Sequence, residues 1–338
     1  MPISGRDVRV AIYGAGNFAN HTHLPNLQQR LEGVQVVALC DLNAEARKAT
    51  AARFGIHRTY EDAHEMLAQE EIDALYSIVP AYARTDVEVM AAQRGIHLFS
   101  EKPQAIRIET ARQIDAAIRQ AGVLSTVGFR ERYRPLFQQA RQLLQERAVY
   151  HLRFQMAGPE EVAEALQTTW HSDLEKGVAR AIDWGVHAVD CLRFITGLDF
   201  AQAQSFYCRP PSARRPLSWS FNFLLSNGGT ANLTFIGRDA PTLQREPWFT
   251  LLYEGGELAI YGYERIELNG ETVYRAEDFD PWLAQTRAFI EAVRSGDGHG
   301  LLNDYHDGLY TLAPILAGWE SARRGGERLD VLQYLWQG

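Results

Sequence analysis

The sequence predicts an α/β protein in two parts: a parallel sheet wrapped by helices, then a second α/β part built on an open, largely antiparallel sheet. Three observations carry this. The first third of the chain alternates short apolar runs with segments of helical period, the pattern of strand–helix–strand crossovers. Later apolar runs follow one another more closely, and Asn227-Gly228-Gly229 and Gly255-Gly256 stand between them as turn signals. The length of 338 residues also exceeds what one hydrophobic core usually supports. Domains are therefore expected at 1–127 and 128–338.

In order, strands are predicted at Val8–Tyr13, Gln35–Cys40, Ala74–Val79, His97–Ser100 and Leu124–Val127. Helices are predicted between them at Ala44–Phe54, Glu61–Ala68, Thr85–Arg94 and Ile108–Ala121. Gly55, Gly95 and Gly122 follow three of these, where a left-handed cap favours glycine. In the second part a helix from Arg132 to about Glu146 precedes a strand near Val149–Met156 and a helix around Asp183–Ile195, stopped by Gly197. Strands at Gln204–Cys208, Trp219–Leu225, Thr230–Ile236, Trp248–Tyr253, Glu257–Tyr261 and Arg265–Leu268 follow, and helices at Pro281–Arg294 and Tyr305–Arg324 close the chain.

Composition narrows the function. The formal net charge of −8 argues against a nucleic-acid partner, which demands a basic face. Three dispersed cysteines, Cys40, Cys191 and Cys208, offer neither a disulfide framework nor a metal knuckle, so no metal is expected and a reducing compartment is. Met1 to Arg9 lacks an apolar signal core and no run reaches membrane-span length. A cytoplasmic protein without a membrane partner is expected.

Directly after the first strand stands Gly14-Ala15-Gly16-Asn17-Phe18-Ala19, a GxGxxA loop opening a helix. Its first glycine permits the tight turn, its second lets backbone approach a pyrophosphate, and its small last residue lets helix and strand pack closely. The helix start adds free N–H groups, the arrangement of a Rossmann dinucleotide site. Asp41 ends the second strand in the register where a carboxylate accepts hydrogen bonds from both ribose hydroxyls. That carboxylate would repel a 2′-phosphate, and no basic residue follows before Arg47, so NAD is preferred over NADP. Pro25 is expected to interrupt the first helix.

Glu101-Lys102-Pro103 follows the strand His97–Ser100. Lysine before proline is held extended, and its ammonium could stabilise a developing alkoxide. Gly14, Asp41, Pro80 and Lys102 all fall at carboxyl ends of predicted parallel strands, the edge where such sheets bind ligands. Asp183, His187 and Asp190 share one helix face by their spacing. A carboxylate beside an imidazole suits general acid/base work, and a buried histidine satisfied by a capping aspartate is the plainer alternative.

Together these stretches resemble the glucose-fructose oxidoreductase / inositol dehydrogenase (Gfo/Idh/MocA) family over nearly the whole chain. The resemblance is carried by VRVAIYGAGNFA (Val8–Ala19), VVALCDLN (Val36–Asn43), HLFSEKPQA (His97–Ala105), VGFRERYRP (Val127–Pro135) and AIDWGVHAVDCLRFITG (Ala181–Gly197). It implies an NAD-binding Rossmann domain joined to a domain for substrate binding and oligomerisation, and a homodimer or homotetramer. It also implies Lys102, Asp183 and His187 as catalytic residues, with Gly14, Gly16, Asn17, Phe18, Asp41, Pro80, Glu101 and Lys102 around the cofactor.

Departures from the family pattern bear on the substrate. Pro80-Ala81-Tyr82-Ala83-Arg84 ends in arginine where histidine is common, Arg130 stands where many members have asparagine, and Arg180 lies in the lead into the catalytic helix. Arg130, His171 and Arg180 are the candidate substrate contacts. A guanidinium fork suits a carboxylate or phosphate, so an anionic sugar derivative is the sharper expectation. Each arginine could instead be a surface charge, and Arg180 could pair with Asp173 or Glu175. The expected function is hydride transfer between nicotinamide and a sugar, inositol or sugar-derivative hydroxyl or ketone. The alternatives are redox-neutral glycoside cleavage with retained NAD, and a non-catalytic sensor.

Overall fold

The computed structural model describes residues 2–158, 180–213, 216–237 and 246–337. These form two compact units, Met1–Tyr133 with Asp280–Gly308 and Arg134–Phe279 with Leu309–Gly338.

The first unit holds β1 (Val8–Tyr13), β2 (Val34–Cys40), β3 (Thr59–Tyr60), β4 (Ala74–Ser77), β5 (His97–Ser100) and β6 (Ser125–Val127). They lie in the order β3-β2-β1-β4-β5-β6, every pair parallel. This is the usual Rossmann order, which reverses direction at β1 and opens a crevice at the carboxyl ends of β1 and β4. Val8, Val10, Ile12, Leu39, Leu75 and Leu98 are fully buried, as continuous apolar strands covered on both faces must be. Helices Ala44–Phe54 and Ile108–Ala121 match the expected bounds, and each ends on a left-handed glycine, Gly55 and Gly122. The interruption expected at Pro25 takes the form of one π-turn at Ala19–His23, after which the helix resumes at Leu24–Gln29 with the proline in its first turn.

Two expectations are corrected. The helix read from Arg132 begins at Pro135, because Arg130–Tyr133 forms a separate 3-10 turn and proline favours a helical first position. The segment Asp280–Gly308, read as part of the second domain, belongs to the first unit. Its helix Pro281–Ser295 drives Phe289 edge-on against Tyr76 and Phe99, at ring-centroid distances of 5.7 and 5.6 Å. The same segment finishes the sheet beside β6. Asn303 Oδ1 accepts from Val127 N at 2.8 Å and from Thr126 Oγ1 at 3.1 Å, and Gln285 Nε2 donates to Val127 O at 2.7 Å.

The second unit is built on β7 (Val149–Gly158), β8 (Phe200–Cys208), β9 (Ser218–Leu225), β10 (Thr230–Gly237), β11 (Phe249–Tyr253), β12 (Gly256–Tyr261), β13 (Arg265–Leu268), β14 (Glu271–Arg275) and β15 (Leu329–Asp330). Their order is β14-β13-β12-β11-β7-β10-β9-β8-β15; β7 and β10 run parallel and the other pairs antiparallel. Leu152, Phe154, Phe221, Phe223, Leu233 and Phe235 line its buried face, while Tyr150, Phe206, Leu224 and Ile236 are exposed. That alternation is the period of strands covered on one side. Helix Arg180–Thr196 packs over β7 and β10 on the covered side.

Because Asn303 satisfies two donors on a buried strand, Asn303→Ala should lower the unfolding free energy by about 1–3 kcal/mol. Urea titration of both proteins measures this, and a change within about 0.5 kcal/mol would show that the returning segment does not complete the sheet.

Candidate active site

The glycine loop is shaped by close backbone approach. Gly14 has φ +109°, and a Cβ there would fall 3.0 Å from the carbonyl carbon of Ile78 and the nitrogen of Val79. Only glycine lets the chain leaving β1 pass the chain leaving β4 this closely. Gly16 is exposed and a Cβ there would meet nothing within 4 Å, so its outward side is open. The first helical turn starts at Asn17 and includes Phe18.

Asp41 braces this loop. Its Oδ2 accepts from Ala15 N at 2.6 Å and its Oδ1 from Asn43 N at 2.7 Å. Asn20, absent from the sequence reading, donates to the carbonyls of Ala15 and Gly16 at 2.9 and 3.0 Å and to Thr50 Oγ1 at 2.8 Å. Gly14, Gly16, Asn17, Phe18 and Asp41 thus meet at the carboxyl edge of the sheet.

Pro80, Glu101 and Lys102 stand on the same edge, just past β4 and β5, and the Lys102–Pro103 peptide is cis. Glu101 is buried; its Oε1 pairs with His23 Nε2 at 2.9 Å and its Oε2 accepts from Lys102 N at 3.1 Å. Gly128 makes room for that carboxyl, since a Cβ there would lie 2.8 Å from Glu101 Oε2. Burial alone would push the Glu101 carboxyl up. The His23 hydrogen bond, with Lys102 and Arg130 nearby, outweighs burial and holds it below the ordinary glutamate value. His23 lies in the π-turn that follows the glycine loop, so one pair ties the loop to the lysine turn. The sequence reading missed His23: its partner is 78 residues away, and nothing in His21-Thr22-His23 beside the glycine loop singles it out.

In the second unit, Asp183 and His187 are one helical turn apart on Arg180–Thr196; His187 is buried and Asp183 half-buried. Gly185 sets the seat of this helix: a Cβ there would come within 2.9 Å of Ile315 Cδ1. His187 stands 5.6 Å from the ring of Trp184, which meets Trp248 at 6.2 Å, and Trp248 meets Tyr263 at 5.1 Å. Asp190 is buried and accepts from Thr311 Oγ1 at 3.4 Å, an interior contact.

The arginines divide. Arg130 pairs with Glu131 at 3.1 Å and lies 4.5 Å over Trp282, so its guanidinium is engaged within its own unit. Arg84 is 3% exposed, and neither of these two is a solvated surface charge. Arg180 begins its helix, but its side chain lies outside the described residues, as do His171, Asp173 and Glu175.

A glycine loop at the crevice of a 3-2-1-4-5-6 parallel sheet, backed by an acidic second-strand end, defines a Rossmann-type nucleotide-binding unit. Residues 8–129 match the model of a family described as an oxidoreductase family with an NAD-binding Rossmann fold. Over these residues the chain is similar to this Gfo/Idh/MocA oxidoreductase family. It is 26% identical over 336 residues to D-apiose dehydrogenase of Paraburkholderia graminis, covering 93% of this chain and 88% of that protein. To scyllo-inositol 2-dehydrogenase (NAD(+)) of Bacillus subtilis it is 26% identical over 196 residues, covering 57% of this chain and 55% of the relative. An oxidoreductase structure from Thermotoga maritima superposes with a TM-score of 0.83 at 22% identity, over 98% of this chain and 100% of that one, a likeness of fold. No helix among the described residues is long and apolar enough to cross a membrane.

A pH prediction follows from Glu101. Its folded-state value lies below that of the unfolded chain, ~4.3, so its stabilisation is complete above that value and is lost as pH falls through the folded one. Glu101→Gln should cost about 1–3 kcal/mol at neutral pH. In urea titrations at successive pH values the gap from wild type should narrow as pH drops below about 4. A gap independent of pH would show that the charge of Glu101 adds nothing.

Proposed function

We propose that this chain is an NAD-dependent dehydrogenase or reductase that transfers a hydride between nicotinamide and a hydroxyl or ketone carbon of a sugar, inositol or sugar derivative. The observation that carries the reading is that Lys102 occupies the same sheet edge as the glycine loop and Asp41. The names of the relatives, a D-apiose and a scyllo-inositol dehydrogenase, support the substrate class. So do the aromatic rings beside His187, which suit the C–H face of a sugar.

The residues present fit a dinucleotide. The open side of Gly16 leaves room for a pyrophosphate against the first-turn amides, and Asp41 accepts two backbone bonds while a carboxylate offers about four lone-pair sites. Its remaining capacity suits the ribose hydroxyls. Arg47, the nearest base in sequence, is drawn to the Asp41 carbonyl and to Glu61, which supports NAD over NADP.

The cofactor, bound there, supplies the two-electron acceptor for oxidation or the donor for reduction. His187 takes the hydroxyl proton as the alcohol is oxidised and returns it in the reverse direction. Lys102 is proposed to donate a hydrogen bond to a substrate oxygen and to stabilise negative charge that develops on it. Asp183, one turn before His187, orients the imidazole and the substrate hydroxyl. Pro80 and Glu101 complete the cofactor side, Glu101 by fixing the Lys102 backbone.

For a charged substrate, a sugar acid or phosphorylated sugar, Arg180 and His171 remain the candidate contacts. Arg130 lends that reading less, because Glu131 already balances it. We also propose a cytoplasmic homodimer or homotetramer. The exposed Tyr150, Phe206, Leu224 and Ile236 on the open sheet support the assembly.

Turnover with NAD and NADH against neutral and anionic sugars, inositols and keto-sugars tests the reaction; a wild-type protein that binds cofactor but releases no stoichiometric NADH would overturn it. His187→Ala and Lys102→Ala should each lower kcat by ~10²–10⁴-fold and leave NAD affinity nearly unchanged. Asp41→Ala should narrow the preference for NAD over NADP in calorimetric titrations. Equal affinity for the two cofactors in the wild type would remove Asp41 from the ribose site.

A further inference from the structure

Arg84 is the least expected charge in the first unit. It follows the 3-10 turn Ala81–Ala83, with its side chain turned into the interior rather than to solvent. One guanidinium nitrogen, Nη1, donates to Ser100 Oγ and to Pro103 O, both at 2.8 Å; the other, Nη2, donates to Val79 O at 3.3 Å. Burial draws its pKa down, and the fields of Glu88 and Glu101 push the other way. An arginine stays charged under such opposition.

These three acceptors lie on two segments. Ser100 and Pro103 flank Glu101 and Lys102, and Val79 precedes Pro80. The guanidinium therefore spans the turn after β5 and the turn after β4. Sheet pairing holds Ser100 O, which accepts from Gly128 N, and Glu101 N, which donates to Ser77 O, both at 2.9 Å; past that point proline has no N–H, and the Glu101 carboxylate grips Lys102 N while Arg84 grips Pro103 O. A planar fork with five donors meets such a spread of acceptors; the point charge of lysine meets fewer at once.

We propose that Arg84 is a positioning residue for hydride transfer: it holds the Lys102–Pro103 turn and the Val79–Pro80 turn in one register, so that Lys102 presents its ammonium in a single orientation. The proposal rests on the reading of Lys102 as the group that polarises the substrate oxygen. Misplacement of a catalytic group by about 1 Å is enough to cost roughly 100-fold in rate. Loosening this brace should therefore reach kcat while leaving the glycine loop and Asp41 in place.

The test compares wild type, Arg84→Met and Arg84→Lys in two arms. In the first, amide hydrogen exchange without substrate is followed by mass spectrometry on peptides covering residues 97–105. Exchange there should rise at least about tenfold in Arg84→Met, with peptides of the glycine loop unchanged, and should fall back toward wild type in Arg84→Lys. Exchange that rises equally across the whole unit, or not at all, overturns the brace. In the second arm, kcat is measured on D-apiose and scyllo-inositol with saturating NAD, and NADH affinity by fluorescence titration. Arg84→Met should lose about 10- to 100-fold in kcat with NADH affinity within about threefold, and Arg84→Lys should recover part of the loss. Unchanged kcat in Arg84→Met, or a loss that follows NADH affinity alone, overturns the positioning role. Absence of turnover in wild type counts against the functional reading, whereas the exchange arm, read without substrate, judges the brace separately.

Discussion

Everything at the carboxyl edge of the first sheet depends on how closely the chain leaving β1 passes the chain leaving β4. Gly14 passes so near the Ile78–Val79 peptide that a Cβ on it would fall 3.0 Å from that backbone, so the loop can take this path only with glycine there. Its next amide, Ala15 N, is then aimed at Asp41, and the first helical turn starts at a fixed place. The contact is between two backbones. It cannot be relieved by a rotamer change, which is why one missing Cβ organises residues from three different strands.

The second constraint is electrostatic. Glu101 is a carboxylate taken out of water, and an uncompensated one would shed its charge. Here compensation comes from both chain neighbours and distant elements: Lys102 N from its own turn, His23 from the π-turn, and the fields of Lys102 and Arg130. Gly128 supplies the missing volume. Such a group is expensive to bury and strongly destabilising to lose, so its partners hold the turn to one geometry. Arg84 adds a further grip at Pro103 O.

Elements with a clear period were legible in the sequence. His97–Ser100, Ala44–Phe54 and Ile108–Ala121 appear with the bounds that apolar spacing and terminal glycines indicate. Thr59–Tyr60 and Leu329–Asp330 are too short to have a period, and Glu271–Arg275 is largely exposed, so neither kind leaves an apolar signature. The helix Pro281–Ser295 was legible as a helix, yet its destination was not. An apolar stripe states that a face is covered, without saying by which unit. The same limit applies at the site. Gly14, Asp41 and Lys102 could be read because each falls at a strand end, whereas His23 and Arg84 act through partners that only the folded chain brings near.

The two units place their chemistry by glycine contacts of different stiffness. Gly14 abuts peptide atoms, while Gly185, beneath Asp183 and His187, abuts the terminal methyl of Ile315. A backbone neighbour cannot yield, but the far end of an isoleucine can shift by a few tenths of an ångström through small torsional changes. The carboxyl edge of the first sheet is therefore held at several points: by strand pairing, by the Gly14 approach, by Asp41 at Ala15 N and by Glu101 at His23 and Lys102 N. The helix Arg180–Thr196, which carries Asp183 and His187, is seated on side-chain packing, against Ile315 and through the contact of Trp184 with Trp248. Substitutions among those packing residues can adjust where His187 lies without disturbing the glycine loop. The glycine edge of the first unit is thus held more stiffly than the helix that carries Asp183 and His187.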